Sequence, residues 1–419
     1  MKNIILLLLL SLAAPCGARE LSLDDALAAA ERSSPLLKAG DLHERAAREK
    51  VGQARAYYFP VIDADGIDSW GFPGSSGYLG EGGVASSPYR KGLAGDVVAR
   101  QTLFDFGRAQ AKVREAKTAV LERREDAAVD RYKVDQDILV TYYQCSRFRS
   151  EHEVWDNLHA EVELVAKEVS RFVDTGQRSV VDRYLAQAQV EEARTNRNYF
   201  KSRALSTESR LKTLMGEPQE EVACPVLPAI GAEPQAVSSG PAAGNPYIAR
   251  AETEVEAAET RVSAAKADFL PRVVGVASAG GMEHSRLVPL QDYSGGLGVI
   301  VPLFSGFGTV HEVRAADDEL EAKRQELGAA RLDMDEVDAR YQEIVDASRA
   351  RIEHLEREEK LAVDGFNVAK NRYFKFQGTL VDLRDALRNL GRIEVELRDT
   401  QADLLEASGA QTLLAGRRP

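Results

Sequence analysis

Proline is missing from two long stretches of this 419-residue chain, residues 89–217 and 303–418. A proline inside a helix removes a backbone hydrogen bond and clashes with the preceding turn, so proline-free tracts permit long unbroken helices. Long apolar runs are missing too: beyond the amino terminus no run of 18 apolar residues occurs and mean hydropathy is negative, which excludes a helical membrane bundle. There is no excess of basic residues. The formal charge is −12, which argues against a nucleic-acid partner.

Catalytic and cofactor patterns are incomplete. His311-Glu312-Val313-Arg314-Ala315 lacks the second histidine of a zinc-binding helix, and Gly306-Phe307-Gly308-Thr309-Val310-His311 lacks the third glycine of a dinucleotide loop. Asp63-Ala64-Asp65-Gly66-Ile67-Asp68 resembles part of a calcium loop, but its glycine comes early and the distal glutamate is absent, so a strand turn is expected. His152 and His159 stand seven apart, whereas helical metal ligands recur at three or four, so they read as solvated or interhelical histidines. No catalytic, cofactor or metal residue is assigned, and the chain is not read as an enzyme.

Cysteine is scarce: only Cys16, Cys145 and Cys224 occur. Cys16 belongs to the amino terminus, where Lys2 precedes the apolar run Ile4 to Leu10 and small residues follow up to Ala18. Residues 1–18 therefore read as a signal peptide with Cys16-Gly17-Ala18 at the cleavage site. Pro15 and Ala13 argue against lipid attachment at Cys16, and loss of Lys2 leaves an exported chain of formal charge −13. Cys145 lies in a helical pattern and Cys224 in a proline-rich linker. Nothing forces them together, so unpaired thiols are expected.

What is present is said almost twice. Asn245-Pro246-Tyr247 repeats Ser34-Pro35-Leu36, Asp268-Phe269-Leu270-Pro271 repeats Tyr57-Tyr58-Phe59-Pro60, and Leu303-Phe304-Ser305-Gly306 repeats Leu103-Phe104-Asp105-Phe106-Gly107. The offset is 211 at the proline pairs and near 200 from Phe104/Phe304 onward. This is a duplicated half-protein, far longer than the period of a solenoid. Residues 19–217 form the first copy, with a β-hairpin at about 59–104 and a long helix hairpin at 105–215. Residues 218–244, rich in Pro and Gly, join it to the second copy at 245–415, with a hairpin at about 271–304 and helices at 305–414.

Segments 105–173 and 305–374 are rich in Ala, Glu, Arg, Lys and Asp, mostly good helix formers. At about 1.5 Å per residue each would run roughly 100 Å and must project from any compact domain. Val113, Val120, Ala127 and Val134 recur every seven residues, as do Leu383, Leu390, Leu397 and Leu404, the signature of supercoiled packing. Each long helix breaks, at Asp174-Thr175-Gly176-Gln177 and at Phe376-Gln377-Gly378, before a return of only about 35 residues. The missing length is expected from short helices at Leu23 to Tyr57 and Pro246 to Asp268, stacked end to end with the returning helices and capped by Ser22, Ser34 and Asn245.

Between short and long helices the chain is rich in Gly, Val and aromatics. Leu93, Val97, Ala99 and Leu103 alternate with Ala94, Asp96, Val98, Arg100 and Thr102, and Tyr293, Leu297, Val299 and Val301 alternate with Ser294, Gly296 and Gly298. Two hairpins with one apolar face each suit a transmembrane barrel. Four strands cannot close one, because open edges in lipid leave backbone groups unsatisfied, so the chain must oligomerise. Two copies give eight strands and three give twelve; the residues alone do not choose.

Taken together, these motifs resemble the outer-membrane efflux protein (TolC-like) family. Leu21-Ser22-Leu23-Asp24-Asp25-Ala26-Leu27 with Ser34-Pro35 looks like its first helix, and Phe59-Pro60 and Leu270-Pro271 like its passages into the barrel. Leu103-Phe104-Asp105-Phe106-Gly107-Arg108 and Val301-Pro302-Leu303-Phe304-Ser305-Gly306 look like its strand-to-helix corners, which singles out Phe104, Gly107, Phe304 and Gly306. The resemblance implies an α+β membrane protein, internally duplicated, that contributes four strands to a barrel in outer-membrane lipid and long coiled-coil helices to a periplasmic tunnel. It also implies a homotrimer, a periplasmic adaptor, an inner-membrane transporter and no cofactor, in efflux or type I secretion. Cargo passes unchanged.

The same resemblance places Asp382 and Asp385 at the periplasmic pore entrance, with Asp182 as their first-copy counterpart, and Tyr373 at a constricting position. Phe376 departs from the usual glycine and Gly378 from a gate-bonding arginine, so any gate bridge must use another residue or be absent. Three copies of Asp382 would make a cation-favouring ring, while the plainer reading is that Asp382 and Asp182 cap their helices. The rival classes are a periplasmic adaptor, which would have one helical hairpin among small β modules, and a soluble coiled-coil scaffold, which leaves the strands unexplained.

Overall fold

The computed structural model describes residues 19–69, 77–79, 84–86, 92–216, 222–228, 244–283 and 289–418. The expected signal peptide, Cys16 and most of the 218–244 linker lie outside the described residues. The chain is mostly helical with a small antiparallel sheet. Its first half contains β1 (Arg19–Glu20), α1 (Leu23–Ser33), α2 (Pro35–Arg55), β2 (Val61–Ser69), β3 (Gly77–Leu79), β4 (Val84–Ser86), β5 (Gly92–Phe104), α3 (Arg108–Asp174) and α4 (Val180–Leu214). Then come β6 (Val222–Ala223), α5 (Pro246–Ala267), β7 (Arg272–Glu283), β8 (Pro289–Ile300), α6 (Gly308–Phe374) and α7 (Leu380–Leu414). The chain divides into two compact units, Met1–Lys38 with Asp130–Asn245 and Met334–Pro419, and Ala39–Val129 with Pro246–Asp333.

In the first unit the helices bury an apolar seam. Val154, Leu158, Val165 and Val169 of α3 pack with Leu355, Ala362, Phe366 and Tyr373 of α6 and with Leu383, Leu390, Ile393 and Leu397 of α7. Steps of three, four and seven residues keep one stripe of each helix inward, the spacing of knobs-into-holes packing. Heptad positions Leu383, Leu390 and Leu397 are buried, and Leu404 is half-buried.

Both long helices span 67 residues and both returning helices 35. Within the first unit, side-chain bonds tie the ends of the returning helices to neighbouring segments. Ser33, at the end of α1, donates its hydroxyl to the Met215 carbonyl just past α4, and Asn245 Nδ2 donates to the Leu414 carbonyl at 3.2 Å. The chain breaks between α1 and α2 at Ser34, whose ψ of 121° is the extended conformation favoured before proline. Ser22 caps α1 by accepting from the Asp25 amide at 3.1 Å.

Cys145 and Cys224 form a disulfide, which corrects the expectation of free thiols. The linker is not loose where Cys224 lies. β6 pairs in parallel with β1, the Leu21 amide donates to the Ala223 carbonyl at 3.1 Å, and the Leu227 amide donates to Ser150 Oγ at 2.9 Å. These bonds hold Cys224 against α3 in a core shared with Leu27, Ile138, Tyr142, Leu211 and Met215.

Charge is buried in this unit as well. Arg147 Nε lies 3.2 Å from Glu151 on α3 and 2.6 Å from Asp399 on α7. One guanidinium thus serves carboxylates on two helices. Glu151 is 1% exposed, and burial, with Asp399 beside it, holds its carboxyl well above the usual range. Burial, reinforced by the charge of Glu359, pushes Glu394 up to about 7.

The second unit holds the sheet, in the order β2-β5-β7-β8, antiparallel throughout. Both expected hairpins form, β2 with β5 and β7 with β8, and the β5–β7 pairing joins them with a bulge between Thr102 and Phe104. A three-pair ladder of β3 and β4 sits in the first connection. Ile62, Val97, Leu103, Tyr293, Leu297 and Val299 alternate to one face and are exposed, while Asp63, Asp65, Asp96, Arg100, Ser278 and Ser294 share the other. Asp63 to Asp68 lie within β2, not in the expected turn.

Candidate functional site: the hairpin tips

Both long helices end in the same backbone device. At the end of α3 the Gly176 amide bonds the Val173 carbonyl and the Gln177 amide bonds that of Phe172; at the end of α6 the Phe376 amide bonds Tyr373 and the Gln377 amide bonds Arg372. Each is a Schellman closure, which needs a left-handed residue at its turning point. Gly176 takes it at φ 72°, whereas the second tip forces Phe376 to φ 62°. A side chain there costs about 1–2 kcal/mol of backbone strain. Ring contacts offset it: Phe376 lies 5.1 Å from Phe172 and 5.1 Å from the Arg178 guanidinium.

Arg178 links the two tips. Its Nη2 donates to the Tyr373 carbonyl at 2.7 Å and the Gly378 carbonyl at 3.1 Å, and its guanidinium stacks 4.3 Å from the centre of the Tyr373 ring. Tyr373, fully buried, donates its hydroxyl to Asp182 Oδ2 at 3.1 Å. Burial first, then the Asp182 carboxylate, raises the Tyr373 phenol far above its ordinary value. A side chain at Gly378 would be crowded by the end of α6, since an added Cβ would lie 3.3 Å from Arg372 Cβ. Two residues of the α3–α4 tip, Arg178 and Asp182, therefore grip the α6–α7 tip.

Of the predicted residues, Tyr373 and Asp182 come together. Asp382 closes a capping box instead, accepting from the Thr379 amide at 3.1 Å and hydroxyl at 2.7 Å while its own amide bonds Thr379 Oγ1. Those bonds, the hydroxyl's first, lower its pKa and keep it ionised. Asp385 pairs at 2.9 Å with its neighbour Arg384. Sequence reasoning missed Arg178 as a bonding residue. The available signal was its position opposite Gly378 at the offset of 200.

The strand-to-helix corners lie in the second unit. Asp105 accepts from the Gly107 amide at 3.1 Å and the Ala109 amide at 2.6 Å, which starts α3. Each corner holds two successive left-handed residues, Phe106 with Gly107 and Gly306 with Phe307. Phe104 packs edge-on against Phe106 and Phe304 against Phe307, at 4.6 and 5.3 Å, and all four rings are exposed. Elsewhere, His159 accepts from Arg197 of α4 at 3.3 Å, an interhelical contact. Among the described residues, no group of three or more His, Cys, Asp or Glu side chains converges as a metal site does.

The comparisons agree with this architecture. The family model described as outer membrane efflux protein matches residues 26–217 and 241–417, so the chain belongs to the outer membrane efflux protein family. The comparison with curated proteins found no match. Similar solved structures include the outer membrane protein VceC of Vibrio cholerae, 18% identical over 94% of this chain and 96% of that one, with a TM-score of 0.78. The transmembrane channel protein CusC is 14% identical over 97% and 96%, with a TM-score of 0.82. The outer membrane channel CmeC of Campylobacter jejuni is 14% identical over 94% and 85%, with a TM-score of 0.78. At these identities the likeness shows the fold.

Proposed function

We propose that three copies of this chain form an outer-membrane exit duct. Their four-stranded sheets close into a twelve-strand barrel, and their helices continue as a periplasmic tunnel built from six near-equivalent halves. An inner-membrane transporter, coupled through a periplasmic adaptor, loads the duct for efflux or type I secretion. The observation that carries the reading is the sheet itself: four antiparallel strands, β2 and β8 at its edges, with an exposed apolar face and a polar face. In lipid such edges must pair, and because β2 and β8 run in opposite directions, β8 of one copy continues antiparallel onto β2 of the next.

The hairpin tips are then the periplasmic entrance. Arg178 and Asp182 hold the α6–α7 tip closed against the α3–α4 tip, and Asp382 and Asp385, repeated three times, line the opening with carboxylates that favour cations. The cap on Asp382 is compatible with that role, since it keeps the carboxylate ionised. The test is purification from outer-membrane fractions followed by single-channel recording. A trimer that conducts, with cation selectivity lost in Asp382→Asn/Asp385→Asn, is expected; a soluble monomer overturns the duct.

A further inference from the structure

We propose that Asp65 and Asp96 form a divalent-cation site on the polar face of the four-stranded sheet. The β2–β5 register sets them directly opposite one another. Opposed residues of an antiparallel pair share a face with Cβ atoms about 4.5–5.5 Å apart, and like charges in that position destabilise a sheet. The usual remedy appears two residues along, where Asp63 on the same face pairs with Arg100. Among the described residues, neither Asp65 nor Asp96 has such a counter-charge.

Asp96 adds an independent sign. It is only 7% exposed, yet its Oδ2 makes no hydrogen bond. A buried carboxylate oxygen without a partner is costly, and a cation shared with Asp65 removes both the orphan and the repulsion. Carboxylate oxygens select hard ions, Mg²⁺ or Ca²⁺, and a site of two carboxylates leaves most of the ion's water in place. The next register position on β7 is Gly280, which has no side chain to crowd that water. The site depends only on the sheet register; its opening onto a pore rests on the duct reading.

Mn²⁺ titration of the purified full-length protein, followed by electron paramagnetic resonance, tests the site. One site per chain is expected, with Kd between about 10⁻⁴ and 10⁻³ M. Mg²⁺ and Ca²⁺ should compete, and Asp65→Asn and Asp96→Asn should each weaken binding at least tenfold. Mg²⁺ should also raise the melting temperature of the wild type but not of Asp96→Asn, which shows that the near-isosteric variant folds. Wild-type affinity and stoichiometry in Asp96→Asn, or no Mn²⁺ site in the wild type, overturns the proposal. Bilayer recordings separate the two readings: absent conductance sinks the duct while the resonance titration still decides the site, and a conducting channel with unaltered Mn²⁺ binding in Asp96→Asn sinks the site alone.

Discussion

Removing the Arg178 side chain strikes the proposed latch directly, because two backbone carbonyls and two aromatic rings of the α6–α7 tip depend on it. A hydrogen bond to a charged group contributes about 1.5–3 kcal/mol, and a cation over a ring about 0.5–2 kcal/mol. One nitrogen serves both carbonyls and the side chain is only half-buried, so the low ends apply and the sum is about 2–3 kcal/mol per chain. At about 1.4 kcal/mol per decade, that moves a closed-to-open equilibrium roughly 30- to 140-fold per latch, compounded if three latches release together. Single-channel recording of Arg178→Ala should show a higher open probability. Arg178→Lys should fall between, since it keeps the charge but loses the planar stack. Tyr373→Phe removes the bond to Asp182 and should open the channel in the same direction, while the double variant adds less than the sum because the two groups touch. Wild-type conductance and open probability in Arg178→Ala, even with a lowered melting temperature, would reduce the residue to a structural clamp and refute the latch.

Three further outcomes are expected. Replacing both Cys145 and Cys224 by serine should cost about 4.5 kcal/mol, the chain-entropy value for a sequence separation of 79, seen as a lower unfolding midpoint that reductant no longer shifts. For Glu394, the folded carboxyl titrates near 7 against 4.5 unfolded, so the native state binds the extra proton between those values and stability falls as pH rises from about 4.5 to 7. The loss is about 3 kcal/mol at neutral pH and should flatten in melting curves of Glu394→Gln. Phe376→Gly should relieve about 1–2 kcal/mol of left-handed strain and forfeit a similar amount in contacts with Phe172 and Arg178, leaving the melting temperature nearly unchanged but the entrance easier to open; a large rise in stability would show that the rings add nothing.

How much of this was legible follows the range over which each cause acts. Proline-free tracts marked α3, α4, α6 and α7, and the breaks at Gly176 and around Phe376 were visible because capping and turn chemistry are local. The leucines at 383, 390 and 397 announced their seam by spacing alone. The strands of the sheet were visible through alternation, but not the register that sets Asp65 against Asp96, since one residue of slip reverses every side chain. The Cys145–Cys224 bond was hidden for a related reason: it depends on β6 finding β1 about 200 residues away, while the local signal around Cys224 is merely proline. At the tips, the sequence marked Tyr373 and Asp182 separately, and only packing shows their bond and the arginine that reaches across beside it.

That arginine explains why the two tips differ. The backbone turns alike at both, with Schellman closures at equivalent positions and hydroxyl caps from Ser179 and Thr379. A side chain at Gly378 would press on Arg372 Cβ at 3.3 Å and the Tyr373 nitrogen at 3.4 Å; if Arg178 were also glycine, its two bonds across to the other tip would be lost. The arginine on one hairpin thereby meets a backbone carbonyl on the other. The unequal strain fits the same logic. The relaxed turn at Gly176 belongs to the hairpin that supplies the grip, and the left-handed Phe376 to the hairpin that is gripped, so letting go removes the ring contacts that offset the strain from the α6–α7 side. On the proposed duct reading, a tip that opens one hairpin per chain uses this division of roles.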